Sequence, residues 1–437
     1  MMHGKQVVLA ALLVIVFAGY ITMTREMNYL STEGAHSSQV SQPKRNLPVW
    51  FAAPTSLFTS ANSECSSAKT QHFATVIPNI VPGQASTYVF KDEDSYYADY
   101  RKSYFAVTTK KSGWDCFRHY EILSQGAIPF FIDIEKIPSY TMYAFPKRLV
   151  QQAMRLPGVP SEGTVRDLLA KGVNGSQINI DMAIFDQAEY CNLRNKLLQY
   201  AREKLTTRAL GEYVMEQYNL VRGTNGTLPN TLMISTCSIE YQSGFMFAGL
   251  KEVLGPKLSW YPCPKRILYT SSRHTPGGYG LGFGYKAILQ TSDIYNSYSQ
   301  READSALMTI AETRLQAGQI DLVIVTNGEN AFCKLEDFDL GPRTQYIGNL
   351  ANSLGYTYSR RGSSMSLVHR NGLRNMLNDY LTRNKLAVVA TVDGSDIHGC
   401  HGTFAEELPR VDLHFVRETE GHVTGQIVEA PITKYSE

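Results

Sequence analysis

"SYFAVTTKKSGWDCFRHYEILSQGAIPFFIDI" runs from Ser103 to Ile134. Its reading decides the fold. "SYFAVT" (Ser103 to Thr108) is rich in aromatic and β-branched residues and reads as a strand. "WDCFRHYEILSQ" (Trp114 to Gln125) has helical character, and "AIPFFIDI" (Ala127 to Ile134) reads as a buried strand. Strand, helix and strand within about 30 residues make a βαβ unit, which requires a parallel sheet. Between the two strands the chain carries Lys110, Lys111, Asp115, Arg118, His119 and Glu121. Core packing does not call for so many ionisable groups in one short connection.

Working outward, the same alternation recurs. "TLMIST" (Thr231 to Thr236), "KLSWYP", "IDLVIVT" (Ile320 to Thr326), "LAVVATVDG" (Leu386 to Gly394) and "VDLHFVRE" (Val411 to Glu418) read as strands. "YQSGFMFAGLKEVLG", "READSALMTIAETRLQAG" and "LRNMLNDYLTRNK" read as the helices between them. "RGTNGTLPN" (Arg222 to Asn230) is dense in turn formers and is the expected boundary. The fold class expected is therefore α/β, with two Rossmann-like domains facing a cleft, residues 49–222 and 231–437. Ligands of open α/β sheets bind beyond the carboxyl ends of the strands. Functional side chains are expected in the loops after Thr108, Thr236, Thr326 and Val392.

The amino terminus adds an expectation of place. "VVLAALLVIVFAGYITM" (Val7 to Met23) is uncharged, apolar and about as long as the shortest membrane-spanning helices. A cleaved signal would show a shorter apolar core and a small-residue cleavage site. Residues 1–24 are read as a cytoplasmic tail and signal-anchor, and the polar residues 25–48 as a flexible stem. In a eukaryotic secretory pathway that arrangement is type II, with a lumenal body in the Golgi or a related membrane. Two N-x-[ST] sequons, at Asn174 and Asn225, fit a lumenal surface. The chain has 7 cysteines, none in a C-x-x-C pair, which argues against zinc and leaves disulfide partners open.

Composition excludes some functions. Of 437 residues, 43% are hydrophobic and 19% charged, enough for a proper core. A net charge of +2 provides no basic field for nucleic acid. The 26 tyrosines suit stacking-rich carbohydrate clefts, though tyrosine is equally a strand residue.

The charged connection has a specific chemical reading. Ser112-Gly-Trp-Asp115 matches a capping box, so a helix is expected from about Gly113 with its amide groups aimed at the cleft. Lys110 and Lys111 beside it supply point charges suited to phosphate. Gly113 permits close approach, Arg118 offers a bidentate fork, and Glu121 could accept both hydroxyls of a ribose diol. The alternative is a surface ion pair of Arg118 with Asp115 and a solvated Glu121.

"DCFRHYEILSQGAIPFF" resembles the signature of exostosin-type glycosyltransferases: Arg118, then Tyr120-Glu121, Gly126 and Ile128-Pro129. "YYADYRKSYFAVTTKK" and "TMYAFPKRLV" extend the likeness over residues 88–159. The resemblance implies a GT-B fold, a nucleotide-sugar donor such as a UDP-sugar in the cleft, inverting transfer to a glycan or glycoprotein, and no metal cofactor. It also implies that Glu121 holds the donor ribose, and Lys110 or Arg118 the diphosphate.

An inverting transferase needs one general base for the acceptor hydroxyl. "TVDGSDIHGCHG" follows a buried strand and offers Asp393 and Asp396, with His398 and His401 beside them. A plain turn is the competing reading of that stretch. Glu240, after the strand ending at Thr236, is the other candidate. Asp337-Phe-Asp339 resembles a metal-binding DxD, but nothing around it supports that fold. Arg417-Glu418 reads equally as a cleft ion pair or a surface one. Two other functions compete: a non-catalytic subunit of an active transferase, homo- or hetero-oligomeric, and a Rossmann enzyme such as a methyltransferase using "VDGSD".

Overall fold

The architecture comes from a computed structural model. It describes residues 45–59, 65, 69–76, 90, 92–111, 113–234, 241–261, 268–269, 289–290, 309–327, 367–394 and 408–418. The apolar segment 7–23, most of the expected stem, and Ser112, Glu240, Asp396, His398 and His401 lie outside them, as do the Gly-rich 277–284 and 337–339. Among the described residues no helix is long and apolar enough to cross a membrane.

The βαβ reading holds at the level of elements. Strand β3 (Ser103–Thr108), helix α2 (Phe117–Ser124) and strand β4 (Ile128–Phe131) follow in order. Strand β2 (Gln71–Phe73) precedes them, linked by α1 (Glu93–Lys102). The three strands form one parallel sheet in the order β2-β3-β4. Helix α1 starts where the Asp92 side chain accepts the Ser95 N–H at 2.7 Å, one of the orphan donors of its first turn.

Four helices follow: α3 (Lys147–Met154), α4 (Glu162–Ala170), α5 (Gln187–Lys204) and α6 (Thr207–Arg222). Next come β5 (Thr231–Ile234), α7 (Tyr241–Leu254), β6 (Leu258–Tyr261) and the short parallel pair β7 (Leu268–Tyr269) with β8 (Leu289–Gln290). The last elements are β9 (Leu322–Asn327), α8 (Leu367–Arg383), β10 (Val388–Asp393) and β11 (Leu413–Val416). Strand β1 (Arg45–Pro48) pairs in parallel with β11. The second sheet thus has six parallel strands, in the order β1-β11-β10-β9-β5-β6.

Its strands read as apolar runs because both faces are covered. Leu232, Ile234, Val323, Val325 and Val389 face Leu377, Tyr380 and Leu381 of α8, with Leu315 beside them. Met233, Leu322, Ile324 and Ala390 face the other way, into a cluster containing Val214 of α6 and Leu250 of α7. That cluster continues without a break to Phe73, Phe105 and Phe130 of the first sheet. Hydrophobic burial therefore joins the two sheets in one core.

Two boundaries expected from sequence shift accordingly. Arg45–Pro48, inside the expected stem, is a strand with Asn46, Leu47 and Pro48 buried. Helix α6, assigned by sequence to the first region, packs on the second sheet: the Tyr213 ring lies 6.0 Å from Phe415, and its hydroxyl donates to Pro48 O at 3.0 Å. The turn-rich segment after Arg222 is real, but the change of sheet comes earlier, between α5 and α6.

Helices α6 and α7 cross through glycine. A Cβ at Gly211 would sit 2.5 Å from Gly249 O, and one at Gly249 would overlap the Thr207 carbonyl. A disulfide, Cys65–Cys191, ties the segment before β2 to α5.

Gly249→Ala is expected to cost about 3 kcal/mol or more, because backbone stands where the methyl must go; a urea melt measures it. Paired Cys65→Ser and Cys191→Ser should lower stability by up to about 5 kcal/mol, given a 126-residue closed loop. A thermal melt of that double variant matching the wild type under oxidising conditions would refute the linkage.

Candidate functional site at the carboxyl edges of the two sheets

Strand β3 ends at Thr108, and its chain runs on through Lys110 to Cys116 before α2 begins at Phe117. The expected helix start near Gly113 is corrected: the N-cap is Cys116, without a side-chain bond. Lys111 N–H bonds Gly113 O at 3.1 Å, and the Cys116 thiol donates to the same carbonyl at 3.2 Å. Lys110 Nζ lies 5.6 Å from the ring centre of buried Trp114. Gly113 is buried.

Asp115 fixes the loop. Its carboxylate accepts Phe51 N–H at 2.9 Å and Tyr120 O–H at 2.9 Å. Its own N–H donates to Glu418 Oε1 at 2.7 Å, and its carbonyl accepts from Arg417 at 2.7 Å. Asp115 is 1% exposed, so the alternative reading of it as a surface group does not hold.

Arg417 is 1% exposed. Besides Asp115 O, its guanidinium donates to Gly394 O at 2.8 Å and Glu418 Oε1 at 3.2 Å, and lies 4.4 Å over the Phe51 ring. Its backbone N–H bonds Asp393 O at 3.1 Å. The carboxyl ends of β10 and β11 are thereby fastened to the loop after β3. Arg417 and Glu418 form a buried ion pair, which excludes the surface reading. The sequence signal was the apolar strand "LHFV" running straight into the pair with no turn former between.

The electrostatics follow from burial. The Glu418 carboxyl is pushed up to about 7 by burial, against the opposing pull of Arg417 and the Asp115 N–H. Lys147, on α3, is drawn down to about 8 by burial, while the Asp115 and Glu418 charges pull it back up. Its ammonium donates to Thr141 O at 2.6 Å and Pro138 O at 3.2 Å. Nothing in the sequence marked Lys147 as part of this centre.

His119 lies wholly inside. One ring nitrogen donates to Trp114 O at 2.8 Å, and the other accepts from the Thr108 hydroxyl at 2.9 Å. Burial drives it down to about 3, so the ring is neutral. It orients the loop and carries no charge to a ligand.

Glu121 is 3% exposed. Tyr96 and Tyr97 of α1 donate their hydroxyls to its two oxygens, each at 3.1 Å, and the Tyr100 hydroxyl donates to the Tyr96 hydroxyl oxygen at 2.9 Å. This excludes the alternative of a solvated Glu121. Burial raises it to about 7, opposed by the tyrosine hydrogen bonds and by Arg118. Gly126 is also explained: at φ +76°, its absent Cβ would lie 2.8 Å from the Arg194 guanidinium. Its carbonyl accepts from Lys69 at 2.6 Å and Arg194 at 3.1 Å.

Asp393 is the half-buried last residue of β10, level with Val416 and Asn327 on the neighbouring strands. Taken from β5 onward, the strands that share this sheet lie in the order second-first-third-fourth-fifth. The point where the order reverses, between β5 and β9, is where such sheets bind ligands. Glu240 stands in the segment directly after β5 in sequence. Among the described residues no group of three or more His, Cys, Asp or Glu is placed to hold a metal ion. No known protein-family model, curated protein or solved structure matches the chain.

Because Glu121 holds its proton more tightly when folded, its contribution to stability is complete below about pH 4.5 and is lost as pH rises through about 7. Glu121→Gln keeps the acceptor oxygen without the charge. Relative to wild type it should gain stability between pH 5 and pH 8, by up to about 3 kcal/mol. Parallel stability–pH curves for the two proteins would contradict a buried, titrating Glu121.

Proposed function

We propose that this protein is a membrane-anchored, inverting glycosyltransferase of GT-B-like architecture, moving a sugar from a nucleotide-sugar donor, expected as a UDP-sugar, to a glycan or glycoprotein acceptor. The observation that carries the reading is the fastening of the lysine-bearing loop after β3 to the carboxyl ends of β10 and β11 by Arg417 and Glu418. A ligand bound at that loop lies at the edge where both parallel sheets direct their strands. The likeness of residues 88–159 to exostosin-type enzymes supports the same chemistry.

In this reading Lys110, Lys111 and Arg118 take the donor diphosphate. The acceptor oxygen attacks the anomeric carbon while the bond to the diphosphate breaks, so the nucleoside diphosphate leaves with the electron pair. The acceptor's proton passes to one carboxylate: Asp393 at the end of β10, or Asp396 or Glu240, which follow β10 and β5 in sequence. A donor ribose would take Glu121 only by displacing the Tyr96 and Tyr97 hydroxyls that hold its two oxygens.

A thermal-shift panel of UDP-, GDP- and CMP-sugars on the full chain, followed by turnover assays, tests this. Lys110→Ala with Lys111→Ala should weaken nucleotide binding about tenfold or more, the scale of one charge-assisted contact. Among Asp393→Asn, Asp396→Asn and Glu240→Gln, one should lower kcat about 10²–10⁴-fold with nucleotide binding unchanged. Saturable nucleotide binding that yields turnover only beside a second chain would favour the non-catalytic subunit. Binding of S-adenosylmethionine and of no nucleotide sugar would overturn the assignment.

A further inference from the structure

We infer that Asn225 is an N-glycosylation site of this protein. Its sequon, Asn225-Gly226-Thr227, lies in the connection between α6 and β5. Helix α6 closes on Gly223, in the left-handed conformation at φ +65°, whose N–H bonds Asn219 O. Thr224 completes the stop, with its hydroxyl donating to Asn219 Oδ1 at 2.7 Å. The chain then leaves the body: residues 223–228 are all exposed. A Cβ at Gly223 or Gly226 would meet nothing within 4 Å. The Asn225 side chain makes no bond among the described residues, so nothing in the fold is lost when its amide is substituted.

The other sequon is placed differently. Asn174 Oδ1 accepts Ser176 N–H at 3.2 Å, and Asn174 N–H donates to Gln177 Oε1 at 2.9 Å, closing a capping box around a single turn. Asn174 is half-buried and Gly175 buried. Of the two, Asn225 is the one whose surroundings leave room for a branched oligosaccharide.

Two further observations fit. The Cys65–Cys191 disulfide belongs to an oxidising compartment, the class of compartment in which N-glycans are attached. Asn225 also precedes β5, and so stands at the amino edge of the six-stranded sheet. The candidate site lies beyond the carboxyl ends, so a glycan on Asn225 leaves that edge open. In the transfer, Asn225 Nδ2 forms a bond to the anomeric carbon of a lipid-diphosphate-linked oligosaccharide. The sugar–phosphate bond breaks, the lipid diphosphate leaves with the electron pair, and one amide proton passes to a base of the transferring enzyme.

The inference rests on the membrane-anchored reading proposed above, with the body lumenal as the sequence leads one to expect. The full chain, extended at its carboxyl end by a flexible tag with a reporter N-x-T sequon, should be expressed in cells with a secretory pathway. Gel mobility before and after treatment with a glycan-removing amidase is the readout. Asn225→Gln and, separately, Thr227→Ala should each run one glycan lighter than the parent, and the difference should vanish after treatment. If both variants keep the parent's glycan number while the reporter is modified, Asn225 is not a site, and the lumenal reading stands. If the reporter itself is unmodified, the lumenal reading fails, and this inference falls with it.

Discussion

The structure depends on one buried guanidinium. Arg417 spans from Gly394 O to Asp115 O, and Glu418 beside it takes the Asp115 N–H. Removing charges from water costs several kcal/mol each, recovered only where their hydrogen bonds are satisfied. Here Arg417 is met by two carbonyls, a carboxylate and the Phe51 ring face. Asp115 and Glu418 also draw Lys147 electrostatically. A half-completed version of such a network would be worse than an apolar contact. The loop after β3, the end of β10 and the end of β11 must therefore be in place together.

The same contact explains the topology. Phe51 N–H bonds Asp115 just after β1, and β1 pairs with β11, the last described strand. From β1, on the far edge of the six-stranded sheet, the chain leaves to build the three-stranded sheet and returns through α6. The three-stranded sheet is in effect inserted between β1 and β5. Sequential domain division cannot express that, and the continuous hydrophobic cluster is its energetic counterpart. The glycine crossing of α6 and α7 lets the returning helix lie against the six-stranded sheet at backbone contact distance.

What was legible in the sequence had a local cause. β3 spans Ser103–Thr108 as read, and β5, β6, β9 and β10 appear where apolar runs place them, because a strand buried on both faces leaves a run that turn residues bound. Three features were hidden because their causes are distant. β1 is only "RNLP", polar at its start and proline at its end, and is a strand because β11 offers it an open edge. The start of α2 moved because a capping signal is worth about 1 kcal/mol, less than the bonds that hold Trp114 and Asp115 elsewhere. The partners of Glu121 lie on α1, 24 and 25 residues away, and no spacing within α2 announces them.

The crowded connection after β3 is sorted by sign. Its acids go inward: Asp115 to Phe51 and Tyr120, Glu121 to Tyr96 and Tyr97. Its histidine goes inward and is neutral. Lys111 is exposed, and Lys110 and Arg118 are partly so. Desolvation explains the asymmetry. A carboxyl can take a proton to become neutral when buried, as the upward shift of Glu121 shows, whereas guanidinium stays charged at any accessible pH and is buried only where, as at Arg417, carbonyls and a carboxylate surround it. With its acids buried and Lys111 exposed beside the half-exposed Lys110 and Arg118, the connection carries its positive groups nearer the surface at a strand end. That is the chemistry a diphosphate requires, and it arises from groups that also hold the two sheets together.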